Sequence, residues 1–184
     1  MKRVLDVVLA LMALVLLSPL LVITAIFIVA DSGLPVLFRQ IRVGQGGREF
    51  GMYKFRSMVK NAAALGPYFT ADIDPRITRV GRFIRRTSID ELPQLLNVLK
   101  GDMSLVGPRP ELPWLVEKYQ PWQRKRFAVP QGITGWWQVN GRSDNLMHLH
   151  TDQDLYYIQN YSLWLDLQIL WRTLFVVLRG RGAY

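Results

Sequence analysis

At 184 residues the chain has room for one compact domain and one additional segment, which excludes two ordinary domains. Half of its residues are hydrophobic, yet the formal net charge is +9 and the isoelectric point about 10.2; together these suit an anionic membrane surface or phosphorylated ligands better than a free cytosolic globule. The chain has no cysteine, which rules out a disulfide framework and a thiolate metal site.

From Val4 to Ala30 the sequence is almost unbroken Val, Leu, Ile, Ala, Met and Phe, interrupted by Asp6 and by Ser18-Pro19. The run is too long for the apolar core of a signal peptide and is not closed by a cleavage motif. It is long enough for a membrane span, for which about 20 apolar residues suffice. Pro19 removes a backbone donor and predicts a bend, with the hydroxyl of Ser18 available to the carbonyl so freed. Lys2 and Arg3 precede the run, and Arg39, Arg42, Arg48, Lys54 and Arg56 follow it. Positive charge at both ends is the pattern of the cytoplasmic side. A re-entrant helix satisfies both flanks, and an ordinary bent span remains the alternative.

After Asp31-Ser32-Gly33 the chain becomes soluble in character. Val36 to Phe38 and Phe50 to Phe55 read as short strands around a turn at Gly44 to Gly47. That turn lacks the glycine spacing of a dinucleotide fingerprint, and there is no phosphate-binding Gly-Lys-Ser/Thr loop. Arg76 to Arg86 predicts a helix with Val80, Phe83 and Ile84 on one side and Arg79, Arg82 and Arg86 on another. A second helix is predicted from Ser88, with Leu92, Leu95, Leu96 and Leu99 at helical spacing, ending at Lys100-Gly101. Met103 to Glu111 reads as a proline-rich loop. Beyond it Trp114, Tyr119, Trp122, Trp136 and Trp137 are interleaved with Lys118, Arg124, Lys125 and Arg126, a mixture suited to lipid headgroups. A last amphipathic helix is expected from Asp154 to Leu178.

The chemistry centres on Thr87 to Gln94. Ser88 and Glu91 have capping-box spacing, and an acidic first turn complements the helix dipole, so a purely structural role accounts for Asp90 and Glu91 taken alone. Their neighbours favour a phosphate site: Arg82, Arg85 and Arg86 lie just before the dyad, and Arg109 sits between Pro108 and Pro110. Arginine binds phosphate oxygens through paired hydrogen bonds, and a helix N-terminus adds free N–H groups. Two carboxylates among such arginines would repel an anionic substrate unless a divalent cation intervened or one of them attacked phosphorus.

The run from Asp74-Pro75-Arg76 through Asp90-Glu91-Leu92-Pro93-Gln94-Leu95 and Asn97-Val98-Leu99 to Gly101-Asp102-Met103-Ser104-Leu105-Val106-Gly107-Pro108-Arg109-Pro110-Glu111 closely resembles the bacterial sugar transferases, the monotopic polyprenol-phosphate phosphoglycosyl transferases. The resemblance extends to Phe38-Arg39-Gln40, Lys54 to Met58, Gly132 to Gly135 and Tyr157 to Asp166, covering essentially the whole chain. It implies a helix-dominated α+β fold: residues 1–32 form a re-entrant membrane helix broken at Ser18-Pro19, and residues 33–184 a small cytoplasmic catalytic domain lying on the membrane with interfacial amphipathic helices. It further implies that Asp90 attacks the sugar-bearing phosphate of a UDP-sugar and releases UMP, and that polyprenol phosphate then takes the phosphosugar, as the first membrane step of surface glycan synthesis. Glu91 with Asp90 would hold Mg²⁺, and Arg109 with Arg82, Arg85 and Arg86 would bind phosphate. The implied location is the bacterial inner membrane, with membrane lipids as partners and a homodimer compatible. The chain would be a minimal member or an excised core.

The segment Tyr156 to Asp166 resembles the branch that transfers hexose phosphates more than the N-acetylated-sugar branch, whereas His148 and His150 depart from the pattern and read as surface or core residues. Two further readings compete. A nucleic-acid-binding module would use the same charge without the dyad, and a membrane scaffold would use the apolar helix and aromatic residues without chemistry.

Overall fold

The computed structural model describes residues 1–65, 74–141 and 149–179. It is a helix-dominated α+β arrangement whose longest element is the apolar N-terminal helix α1, Lys2–Ser32. This helix is long and apolar enough to cross a membrane, and only 11% of its most apolar window is buried, unlike the core helix of a soluble domain.

Pro19 does not interrupt α1: helical conformation continues through it. The missing proline N–H leaves the carbonyl of Val15 without its usual partner, and the Ser18 hydroxyl donates to that carbonyl at 2.8 Å. At Ser18-Pro19 a side-chain hydrogen bond thus stands in for the backbone one that proline removes.

Both ends of α1 dock on the same body. Near the start, Arg3 donates to the carbonyls of Val98 and Leu99. Asp6, 6% exposed, accepts from the Ser104 hydroxyl at 2.9 Å and the Leu105 N–H at 3.1 Å. Near its end Ile28 is buried with Phe55 and Ile84, Arg56 donates to Ser32 at 2.8 Å, and Asp31 accepts from the Val80 N–H at 3.0 Å. Between the docked ends, Val15 and Leu16 are 65% and 73% exposed.

Strands β1 (Leu37–Val43) and β2 (Glu49–Phe55) form an antiparallel hairpin with Leu37 opposite Phe55 and Val43 opposite Glu49. Beyond it lies α2, Arg79–Arg86, N-capped by Thr78, whose side chain accepts from the Gly81 N–H. A Cβ at Gly81 would lie 1.9 Å from the Ser57 carbonyl oxygen, so only glycine lets α2 approach the chain leaving β2 so closely.

The dyad segment, Ile89–Gln94, is a 3-10 helix, and regular α-helix (α3, Leu95–Lys100) starts later than predicted. Pro93 lies inside the segment and withholds one backbone donor there. The fully buried Asn97 fixes α3 to the hairpin: its amide N–H₂ donates to the Gly51 carbonyl at 2.8 Å, and its carbonyl accepts from the Tyr53 N–H at 2.9 Å.

The stretch read as a proline-rich loop contains a short strand, β3 (Ser104–Val106), which pairs in parallel with β4 (Gly132–Thr134). Between them lie two short helices, α4 (Pro113–Val116) and α5 (Pro121–Arg124), and α6 (Trp136–Val139) follows β4. The helix expected over 154–178 is two: α7 (Thr151–Gln159) and α8 (Leu163–Arg179). Ser162 starts the second by accepting from the Leu165 N–H at 3.2 Å, a serine N-cap within an otherwise continuous pattern.

Candidate active site

Asp90 and Glu91 sit on the 3-10 segment, which packs against β2 and α2. Ser88, just before them, has φ 58° and makes no capping hydrogen bond through its side chain, so the predicted capping box does not form. Glu91 is turned to other partners. Its Oε1 accepts from Lys54 Nζ of β2 at 2.8 Å and from Arg109 Nη2 at 2.5 Å, and its Oε2 accepts from Arg109 Nη1 at 3.3 Å. This two-pronged grip is the geometry in which guanidinium meets carboxylate best.

The two carboxylates consequently differ. Asp90 is 8% exposed. Burial pushes its carboxyl up to about 6; the charge of Glu91 adds to the rise, and Lys54, Arg85 and Arg109 oppose it through space. Glu91 is also raised by burial, but Arg109 and Lys54 outweigh that and hold it well below the ordinary range. Lys54 is itself lowered by burial, against the pull of Glu91. Two adjacent acids set apart in this way are the usual mark of separate roles.

Arg109 is held by its backbone. The Gly132 N–H donates to the Pro108 carbonyl at 2.8 Å and the Gly107 N–H to Thr134 at 2.9 Å. A Cβ at Gly132 would lie 2.1 Å from the Gly107 nitrogen, so the glycines of the two motifs permit this crossing. From beneath, Arg126, fully buried, donates to the Arg109 carbonyl at 2.8 Å and to the Tyr119 hydroxyl at 2.9 Å, and pairs with Asp154 at 2.7 Å. Arg42 of β1 completes the cationic wall, donating to the Pro110 carbonyl at 3.4 Å and lying 3.8 Å from Glu111. Burial and the like charge of Arg109 lower its guanidinium to about 10.

Of the arginines predicted to gather here, Arg109 touches the dyad and Arg85 acts on Asp90 through space. Arg82 and Arg86 are exposed on α2, and among the described residues no hydrogen bond or ion pair joins them to the dyad. Sequence reasoning did not assign Lys54 and Arg42 to the site. Lys54 stood in a quoted motif and carried that signal; Arg42 carried none beyond its charge. Arg76 grips Asp74 through Nε at 2.9 Å and Nη2 at 2.6 Å, which gives the Asp74-Pro75-Arg76 motif a structural role. Among the described residues no three acidic or histidine side chains gather as a metal cluster. His150 stands at the N-terminus of α7 without capping it, and His148 lies outside the described residues.

A buried acid beside a clamped acid, within a wall of cations, is an arrangement suited to phosphate groups. The profile of the bacterial sugar transferases matches residues 1–180, and the chain belongs to that family. It is 47% identical over 188 residues to the UDP-N-acetylgalactosamine-undecaprenyl-phosphate N-acetylgalactosaminephosphotransferase of Aeromonas hydrophila, covering 99% of this chain and 44% of that protein. It is 44% identical over 199 residues to the undecaprenyl-phosphate galactose phosphotransferase of Salmonella typhimurium, covering all of this chain and 42% of that protein. The uncharacterized sugar transferase EpsL of Bacillus subtilis is 42% identical over 182 residues, covering 99% of this chain and 89% of EpsL. The chain therefore spans less than half the length of the first two relatives.

Proposed function

We propose that the chain transfers a sugar 1-phosphate from a UDP-sugar to polyprenol phosphate, releasing UMP, with Asp90 as the nucleophile. The observation that carries this reading is the asymmetry of the dyad: Lys54 and Arg109 both bond Glu91, while Asp90 is buried beside them and feels them through space. An Asp90 oxygen attacks the phosphorus that bears the sugar, and the bond from that phosphorus to the bridging oxygen breaks, UMP leaving with the electron pair. An oxygen of polyprenol phosphate then attacks the same phosphorus, and the acyl phosphate bond to Asp90 breaks, restoring the carboxylate. The acceptor is already ionised near neutral pH and needs no base. Arg109 and Lys54 position phosphate oxygens, and Glu91 holds both cations in place between turnovers.

The donor set fits Mg²⁺ of the kind that binds one or two carboxylates and completes its shell with substrate phosphates and water. Glu91 and the second oxygen of Asp90 would hold it, and it would neutralise charge on the diphosphate. Because both oxygens of Glu91 already accept hydrogen bonds, the ion fits best when it arrives with the diphosphate.

The relatives' names span N-acetylgalactosamine, galactose and glucose donors. We infer a UDP-linked sugar of this group, with the catalytic domain on the cytoplasmic face of the inner membrane and α1 entering and leaving one leaflet. The docking of both ends of α1 on one body supports that topology. The test is a panel of UDP-sugars incubated with the protein and Mg²⁺ and no lipid, followed by acid quench and intact mass measurement. Wild type should release UMP and gain the mass of one sugar phosphate, and Asp90→Asn should do neither. UMP release that requires lipid and leaves no adduct would favour direct transfer and overturn the covalent route.

A further inference from the structure

A cavity of about 250 Å³ adjoins the dyad, and its wall combines two unlike surfaces. One contains Glu91 and Arg109. The other is aliphatic: Leu92 and Leu95 contribute from beside the dyad, and Leu170 and Val176 from α8. The hydroxyls of Thr134 and Thr173, which also line it, bond each other at 2.7 Å, and Thr173 additionally donates to the Ile169 carbonyl. Their polarity is satisfied within the wall. Gln138 offers one buried oxygen without a partner, where a sugar ring presents several hydroxyls that would each need one.

The cavity lies between two helices that expose apolar surface. Leu95 and Leu105 of its lining pack on their other side against Ala10, Ala13 and Leu14 of α1. Opposite, α8 exposes Trp164, Leu167, Trp171 and Leu174, an aromatic and aliphatic surface suited to the headgroup boundary. The cavity thus lies one layer of side chains from an exposed apolar surface on each side.

We propose that this cavity binds the first isoprene units of the polyprenol phosphate acceptor, placing its phosphate at Arg109 and within reach of Asp90. The assignment rests on the acceptor named above. It adds that recognition extends past the phosphate to the chain, through α8, and that the donor's sugar and uridine lie elsewhere. A chain held by branched aliphatic side chains gains affinity with each carbon removed from water, while Arg109 fixes the polar end.

Two measurements on the full chain in nanodiscs test the assignment. Leu170→Trp and Val176→Trp fill the cavity at positions away from the dyad. Their adduct formation with UDP-sugar, a step without lipid, should match wild type, while KM for the acceptor should rise at least about tenfold. An unchanged acceptor KM, or equal losses in both half-reactions, would count against the cavity. Independently, a short polyprenyl phosphate carrying a diazirine on its first isoprene should cross-link to α8 or to the Leu92–Leu95 wall. Cross-linking confined to the exposed middle of α1 would overturn the proposal even if a variant failed to fold. If wild type forms no adduct with any donor, the covalent reading fails, and the cross-link still decides what the cavity holds.

Discussion

Glu91 is the residue on which the cationic side of the site depends. Lys54 and Arg109 are both largely buried, and their side chains meet on its carboxylate. Glu91→Gln keeps the shape and removes the counter-charge, leaving two cations poorly matched. We expect a loss of about 2–3 kcal/mol in stability, read by denaturant unfolding in detergent. A variant as stable as wild type would mean the cluster is held by its backbone alone. Asp90 should behave in the opposite sense. Its folded carboxyl titrates at about 6 against an ordinary 3.8, so the folded state binds more protons than the unfolded state between those values. The stabilisation is fully present below about pH 4 and is lost as pH rises through 6, by roughly 3 kcal/mol. In EDTA, the Tm of wild type should fall relative to that of Asp90→Asn from pH 4.5 to 7. Parallel pH profiles for the two proteins would refute this. Asp90, Glu91 and Arg109 were legible in the sequence because a dyad among arginines and a proline-flanked arginine are local patterns. Lys54 and Arg126 were not, because each reaches the site through tertiary contact, 37 residues from Glu91 in one case and 17 from Arg109 in the other.

At the level of elements, α1, the hairpin, α2 and α3 were readable from apolar run length, alternation and helical spacing. Three features were not. The dyad segment is 3-10 rather than α, a difference that the helical spacing of Leu92, Leu95 and Leu99 concealed. Strand β3 exists only through its parallel partner β4, 28 residues away in register, and a three-residue strand carries no periodicity of its own. The single amphipathic helix divided at Asn160-Tyr161-Ser162, where the serine cap was a signal outweighed by the apolar spacing on either side. The crossing of Gly107 and Gly132 gives this scale its own prediction. Gly132→Ala places a Cβ where no side chain end can yield, since the obstruction is backbone, and the loop bearing Arg109 must move. Activity should fall by at least about 100-fold, in line with the penalty for roughly ångström-scale misplacement, while far-UV circular dichroism stays native. Near-normal turnover would show that the loop tolerates displacement.

For the molecule as a whole, the decisive relation is between the apolar helix and the polar body. Arg3 bonds the end of α3, while Arg56 bonds Ser32 and the Gly33 carbonyl at the other end of α1. A crossing helix would place those two ends on opposite sides of about 30 Å of hydrocarbon, and one small body could not keep both sets of contacts. Entry and exit through one face, the topology proposed above, would keep both, expose the middle of α1 to lipid and set the aromatic face of α8 at the headgroups. Because the chain has no native cysteine, a single one can report each end: one inserted after Met1, and Leu34→Cys, a site 64% exposed. In intact cells a membrane-impermeant maleimide should label neither, and after permeabilisation it should label both. Pro19→Leu would restore a full backbone ladder and make a straight crossing easier, so the inserted N-terminal cysteine should become partly accessible from outside in that variant, with activity falling in proportion. Labelling of that cysteine in intact cells carrying the wild-type helix would establish a true span, and the contacts of Arg3 and Asp6 with the body could not then hold in the membrane.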